Sequence, residues 1–157
     1  MSAVIREPRS TDAETLAALH VATWRETYGH LLPDDFFTDD VLDRRRQMWT
    51  QILATPRPEQ TVRVAESDGT LIGFGMSGVS GDGMPQLYVL YVVAEHHGTG
   101  IGQRLFEAVV PPGPAVLWVA KENPRAISFY RRNGFAFDGA AQTDPGTPGI
   151  VEARMMR

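Results

Sequence analysis

Residues 86–103 read Gln86-Leu87-Tyr88-Val89-Leu90-Tyr91-Val92-Val93-Ala94-Glu95-His96-His97-Gly98-Thr99-Gly100-Ile101-Gly102-Gln103. The first eight are nearly all apolar or aromatic, as in a central strand covered on both faces. The pattern predicts a strand over 86–93 and a helix from about Gly100 to Val110, stopped by Pro111-Pro112-Gly113-Pro114. Glycines at 98, 100 and 102 remove side chains at the handover, so backbone amides there can point at an anion with the helix dipole behind them. No Gly-Lys-Ser/Thr follows, which excludes a Walker loop, and Gln103 stands where the dinucleotide pattern G-x-G-x-x-G needs its last glycine. Taken alone, the glycines fit a phosphate cradle and a plain tight turn equally.

Downstream, residues 115–120 read as another buried strand, and a strand-helix-strand order implies parallel pairing. A fourth helix is predicted from Asn123 to Asn133, ending at Gly134, with strands over 135–140 and 150–155 around a Pro/Gly-rich loop. Upstream, Val62, Val64, Leu71 and Phe74 follow a period of two on either side of Asp68-Gly69, a hairpin signal. A short strand over 3–7 stops at Pro8, and Thr11-Asp12-Ala13-Glu14 has the form of a capping box. The helix it opens carries a stripe of Ala17, Val21, Trp24 and Tyr28 up to Gly29. A second helix is predicted from near Thr38 to before Pro56, with Asp39 and Asp40 in its first turn and Val41, Leu42, Met48, Trp49, Ile52 and Leu53 on its apolar face.

The 157 residues, 43% apolar and 22% charged, suit one globular domain spanning 1–157. A net charge of -4, with no basic run longer than Arg44-Arg45-Arg46, argues against a nucleic-acid partner. Cysteine is absent, which removes thiolate ligands and nucleophiles and suits a reducing compartment. His20, His30, His96 and His97 form no H-x-x-x-H pair, so no metal is predicted. No stretch reaches the roughly 20 apolar residues of a membrane span, and a cytoplasmic protein with no membrane partner is expected.

The second motif is Asn123-Pro124-Arg125-Ala126-Ile127-Ser128-Phe129-Tyr130-Arg131-Arg132-Asn133-Gly134-Phe135. With the glycine turn, it resembles the GNAT superfamily of N-acetyltransferases, whose signature is an Arg/Gln-x-x-Gly-x-Gly/Ala turn followed by an Asn-x-x-Ala-x-x-Phe-Tyr-x-x-x-Gly-Phe helix. Both motifs stand in the right order, and the resemblance covers nearly the whole chain. One departure is His97, where the family usually has Arg or Gln. The resemblance implies an α/β (α+β) fold: a mixed, mostly antiparallel sheet of about seven strands splayed into a V, with a β-bulge helping the splay, flanked by about four helices.

It also implies acetyl-CoA as co-substrate. Backbone groups of Leu90, Tyr91 and Val92 would pair with the pantetheine arm like an added strand. Gly98, Thr99, Gly100, Ile101, Gly102 and Gln103 would hold the pyrophosphate, Asn123 would hydrogen-bond the arm, and Tyr130 would stand near the sulfur. Phe129 reads as core, and Arg131 and Arg132 as solvated charges.

Acetyl transfer to nitrogen needs a deprotonated amine, donors for the developing oxyanion and a proton for the leaving thiolate. A phenol of pKa about 10 can protonate a thiolate whose conjugate acid lies near about 8.5, which makes Tyr130 the candidate general acid. Histone-modifying relatives resemble one another in a strand glutamate, and arylamine-handling relatives in histidines, where this chain has Gln86 and Tyr88. Ribosomal N-terminal acetyltransferases resemble one another in a glutamate where Trp118 stands. By the same resemblance Trp24, Glu26, Tyr28, His30, Asp34, Asp35, Gln86 and Tyr88 are candidates to line the acceptor pocket, with His30 a candidate base. The expected activity is acetyl transfer to a primary amine of a small molecule by direct attack in a ternary complex. A protein lysine or N-terminal acetyltransferase and a non-catalytic acetyl-CoA sensor stay open as alternatives. A homodimer formed through the apolar closing strand 150–155 is also expected.

Overall fold

The computed structural model describes residues 3–33, 35–144, 147 and 149–157. Among these, seven strands form one sheet: β1 (Val4–Arg6), β2 (Thr61–Ser67), β3 (Thr70–Val79), β4 (Pro85–Val92), β5 (Val116–Ala120), β6 (Ala136–Thr143) and β7 (Val151–Met156). Their order across the sheet is β1-β2-β3-β4-β5-β7-β6. Every neighbouring pair is antiparallel except β4 and β5. Four α-helices accompany it: α1 (Ala13–Tyr28), α2 (Asp39–Ala54), α3 (Ile101–Val109) and α4 (Pro124–Arg132). This is the mixed, mostly antiparallel architecture expected.

Local chemistry accounts for the element ends. Asp68 and Gly69 take φ of 51° and 79°, the two left-handed positions of a two-residue hairpin turn between β2 and β3. Asn123 Oδ1 accepts from Ala126 N at 3.2 Å and caps α4, whose first residue is Pro124. The expected Thr11/Glu14 capping box is not formed. Thr11 lies in a 3-10 turn over Ser10–Asp12, where the Asp12 carboxylate instead accepts from Arg9 N at 2.6 Å and from Arg6 Nη1 at 2.9 Å. Arg6 is held between Asp12 and Glu66, and that pairing draws Asp12 inward and lowers its pKa.

Helices α1 and α2 share one face of the sheet, where Leu16, Trp49, Val64 and Phe74 are buried and Val89 and Tyr91 pack against them. The other face receives α3 and α4, with Phe106, Leu105 and Tyr130 in its core and Leu90 packed against them. The buried face of α1 is centred on Leu16, Ala17, His20 and Thr23 rather than on the Val21 and Trp24 side expected. A histidine can occupy that centre because its Nδ1 accepts from Trp49 Nε1 at 3.2 Å and its ring lies edge-on to Trp49 and Phe74. The most buried strand is β3, not β4 as the apolar run suggested. In β4 only Leu87 is buried, and Tyr88 to Val92 line an opening in the sheet.

That opening has two visible causes. Strands β4 and β5 pair only at Gln86 with Val116 and at Leu87 with Leu117, and then diverge. Met76 faces Val89 while Ser77 faces Leu87, so Tyr88 is an extra residue in β4, a β-bulge. The bulge resets the alternation, and Leu87 shares a face with Leu90 although an unbroken strand would oppose them. Gly78 makes room for it: a Cβ there would lie 2.4 Å from the Tyr88 hydroxyl, which donates to Val79 O at 3.1 Å. At the far side, β7 is paired by both β5 and β6, so the closing strand offers no free edge for association and the sheet ends at β6.

Candidate active site

The V between β4 and β5 is a cleft of about 730 Å³. Its walls come from the end of α1 (Trp24, Glu26, Tyr28), the open part of β4 (Tyr88, Leu90, Tyr91, Val92), the turn into α3, the end of β5, α4 (Asn123, Phe129, Tyr130) and the start of β7. Most of the residues singled out by sequence therefore meet in one cavity. Gln86 does not line it, since it belongs to the joined base of the V, where it pairs with Gly78 and Val116. His30 and Asp35 are exposed beyond α1 and outside the lining, and Asp34 lies outside the described residues.

At the α3 end, Gly98 and Gly100 take φ of 78° and 86°, a left-handed backbone that only glycine adopts without strain. The first intrahelical bond runs from Arg104 N to Gly100 O at 3.1 Å, which leaves the amides of Ile101, Gly102 and Gln103 ahead of it without a helical carbonyl. A Cβ on Gly98 or Gly100 would meet nothing within 4 Å, so the space over the turn is open. Free amides, a helix dipole and open space together fit phosphate oxygens. The side chains here are spoken for: Ile101 is buried in the core, and Thr99 Oγ1 donates to His96 O at 2.6 Å. Gln103 and Asn133 exchange amide hydrogen bonds of 2.8 and 3.1 Å, which fixes α3 against α4. His97 Nε2 lies 2.8 Å from Val92 O, folded back onto β4.

Val93 N donates to Ile72 O at 2.9 Å, and hydrogen-bonded pairs alternate along an antiparallel ladder. Tyr91 therefore exchanges its main-chain bonds with Phe74. Leu90 and Val92 turn theirs toward the cleft. The phenols of Tyr28, Tyr91 and Tyr130 line the same cleft. Tyr130 is buried at 8% exposure, and burial, with Tyr28 adding, raises its pKa well above the usual phenol value. Burial also raises Tyr91 and Tyr28, and the charge of Glu152 adds to the effect on Tyr28. Tyr28 OH accepts from Asn123 Nδ2 at 3.3 Å. Phe129 packs edge-on between Phe106 and Tyr130, as core. Arg131 stacks on Phe137 behind α4, while Arg132 reaches the cleft.

Several lining or supporting residues were not singled out from sequence. Glu152, Ile150 and Thr147 reach the cleft because β7 is inserted beside β5, a non-local pairing with no sequence signal. Asn133 carried a signal, its place at the end of the Asn123 helix, but its partner Gln103 is thirty residues away.

The chain matches the model of the acetyltransferase (GNAT) family over residues 15–135. It is 29% identical over 147 residues to a protein named probable N-acetyltransferase from Mycobacterium tuberculosis, covering 88% of this chain and 83% of that one. It is 28% identical over 140 residues to an uncharacterized N-acetyltransferase of Bacillus subtilis, covering 81% and 76%. Among solved structures, the PaiA N-acetyltransferase of Thermoplasma acidophilum in complex with coenzyme A superposes with a TM-score of 0.76 at 22% identity, covering 98% of both chains. The described residues contain no helix long and apolar enough to cross a membrane. With a family match across most of its length and the splayed sheet that the match implies, the chain belongs to the GNAT family of acetyltransferases.

Proposed function

We propose that this acetyltransferase moves the acetyl group of acetyl-CoA to a primary amine of a small molecule by direct attack in a ternary complex. The observation that carries the reading is a single cleft in which the unbonded amides of α3, the open main chain of β4 and the Tyr130 phenol converge. The coenzyme A complex of the Thermoplasma protein supports the choice of donor. That donor supplies a thioester carbonyl activated toward a nucleophile.

The amides of Ile101, Gly102 and Gln103, with the turn from Gly98, hold the pyrophosphate. Leu90 and Val92 pair with the extended arm as an added strand would. The His97 ring already occupies the Val92 carbonyl, so at that residue the amide is the free partner. Trp24, Tyr28, Ile150 and Glu152 line the acceptor side, where aromatic faces and a carboxylate suit an ammonium group. As the new C–N bond forms and the C–S bond breaks, Tyr130 gives its hydroxyl proton to the departing sulfur. Burial keeps the phenol protonated before the reaction, and because the same burial weakens it as an acid the proton moves as the C–S bond breaks. No strand carboxylate stands at Gln86 or Tyr88, and the proton lost by the amine leaves through water. The absence of cysteine suits a cytoplasmic setting.

Isothermal titration with CoA tests the donor half. Saturable one-to-one binding is expected, weakened at least tenfold by Gly100→Ala with the fold retained. No heat of binding to the folded wild-type protein would refute it.

A further inference from the structure

Glu152 is half-buried on β7 and lines the cleft, as do the carboxylates Glu26, Glu122 and Asp144. It is flanked in the sheet by Ala120 of β5 and Gln142 of β6, two residues from Arg154, which faces Trp118 on the same side of the sheet. That nearby cation is engaged elsewhere: Arg154 Nε donates to Asp138 at 2.5 Å, and its guanidinium lies over the Trp118 ring. Lys121, just past β5, lines a hollow on the opposite face, behind α4. Among the described residues no Lys or Arg comes within ion-pair distance of Glu152. Its Oε1 accepts from Gln142 Nε2 at 3.3 Å, and Oε2 takes no hydrogen bond among those residues. The other cleft carboxylates stand differently. Glu26 Oε1 accepts from Ala94 N at 3.4 Å, beside the turn into α3, Glu122 is exposed beyond the end of β5, and Asp144 lies in the field of Arg45 on α2. The titratable and charged groups around Glu152 are thus Tyr28 on α1, the Arg154–Asp138 pair on the sheet, and Asp144 with Arg45.

We propose that Glu152 is the base of the reaction: its open Oε2 takes the first proton of the bound ammonium and passes it on to water. The inference rests on the reaction proposed above. Beyond the effect of burial, Tyr28 feels the Glu152 charge and Tyr130 feels Tyr28, which fits an order Tyr130, Tyr28, Glu152 from the sulfur side of the cleft to the amine side. Loss of the first proton frees the nitrogen lone pair. As the C–N bond forms and the C–S bond breaks, the sulfur takes the Tyr130 proton, and the second nitrogen proton replaces it on Tyr130 through water. The net release is one proton, which leaves from Glu152. Before that transfer the carboxylate also holds the ammonium against the aromatic walls of Trp24, Tyr28 and Trp118.

The test follows kcat and KM from about pH 6.5 to about pH 9 in the wild type, Glu152→Gln and Glu152→Asp, with the alkyl primary amine that the wild type turns over fastest. Glutamine keeps the shape of the side chain and an oxygen for Gln142 Nε2, and urea unfolding checks that both variants hold the fold. Glu152→Gln is expected to lower kcat about 10²-fold at about pH 7. Its kcat/KM should then climb about tenfold per pH unit toward the amine pKa of about 10, because only amine that is already neutral reacts, while the wild-type profile stays nearly level. Glu152→Asp keeps a carboxylate and should recover about tenfold of the lost rate, together with the level profile. Three results overturn the proposal: equal pH slopes in the wild type and Glu152→Gln, a rise in KM alone, which marks a carboxylate that only holds the ammonium, or a Glu152→Asp no faster than Glu152→Gln. No amine-dependent thiol release by the wild type would sink the proposed reaction and this inference together, whereas an active wild type matched by Glu152→Gln would sink the inference alone.

Discussion

In the proposed reaction Tyr130 carries the chemistry, and His20 is the residue whose burial most sharply couples stability to pH. Tyr130 is legible in the sequence because the motif Phe129-Tyr130 sits on a short helix between an asparagine cap and Gly134, all of it local. Tyr130→Phe is expected to lower kcat about 10²-fold and leave CoA affinity within twofold, read by thiol-release kinetics and calorimetry. Burial keeps the phenol protonated, so wild-type kcat should show no loss from Tyr130 ionisation below about pH 10. His20 was not legible as a core residue, because its partner Trp49 lies on another helix and a polar residue on an apolar face gives no sign of being satisfied. Burial, with the Arg45 charge adding, pushes its pKa from 6.5 down to about 3. Between those values the unfolded chain binds a proton that the folded chain refuses, so stability falls as pH falls. Urea melts from pH 6.5 to pH 5 should lose up to about 2 kcal/mol in the wild type and much less in His20→Gln, which keeps an acceptor for Trp49.

Turns and helix starts were the elements most open to sequence reading, since their glycines and caps act on neighbours in the chain. Two glycines of the turn, Gly100 and Gly102, nevertheless have different jobs. Gly100 is left-handed at φ 86°, and a Cβ there is strained whatever space surrounds it. Gly102 is not left-handed, and an added Cβ would touch Phe129 and Val92 only at 3.8 and 3.9 Å, ordinary contact. Gly100→Ala should cost about 1–2 kcal/mol of stability, and Gly102→Ala should be neutral or stabilising by up to about 1 kcal/mol, measured by thermal or urea unfolding. Equal losses at both positions would contradict this division. Sequence pattern misplaced the heart of the sheet for a related reason. The apolar run of β4 looks like a strand buried on both faces, but part of that surface is kept for the cleft, while β3, with its small residues Gly73, Gly75, Ser77 and Gly78, is the more buried strand.

Across the whole molecule, the order β4-β5-β7-β6 separates what was legible from what was not. The proposed donor side is built from consecutive segments, β4, the turn, α3, β5 and α4, whose residues follow one another along the chain. The proposed acceptor side is assembled from α1, the end of β5 and β7, which meet where the sheet opens between β4 and β5. Its contributors Glu152 and Ile150 carry no local mark, and His30, which looked suitable as a base, stands outside the cleft. The proposed reaction requires both sides to act together on one acyl group. Amine-dependent thiol release from acetyl-CoA across a panel of small primary amines tests that requirement most directly. At least one amine should be acetylated in step with thiol released, with the rate reduced about 10²-fold in Tyr130→Phe. Tight acetyl-CoA binding with no amine-dependent release, and no effect of Tyr130→Phe, would contradict it.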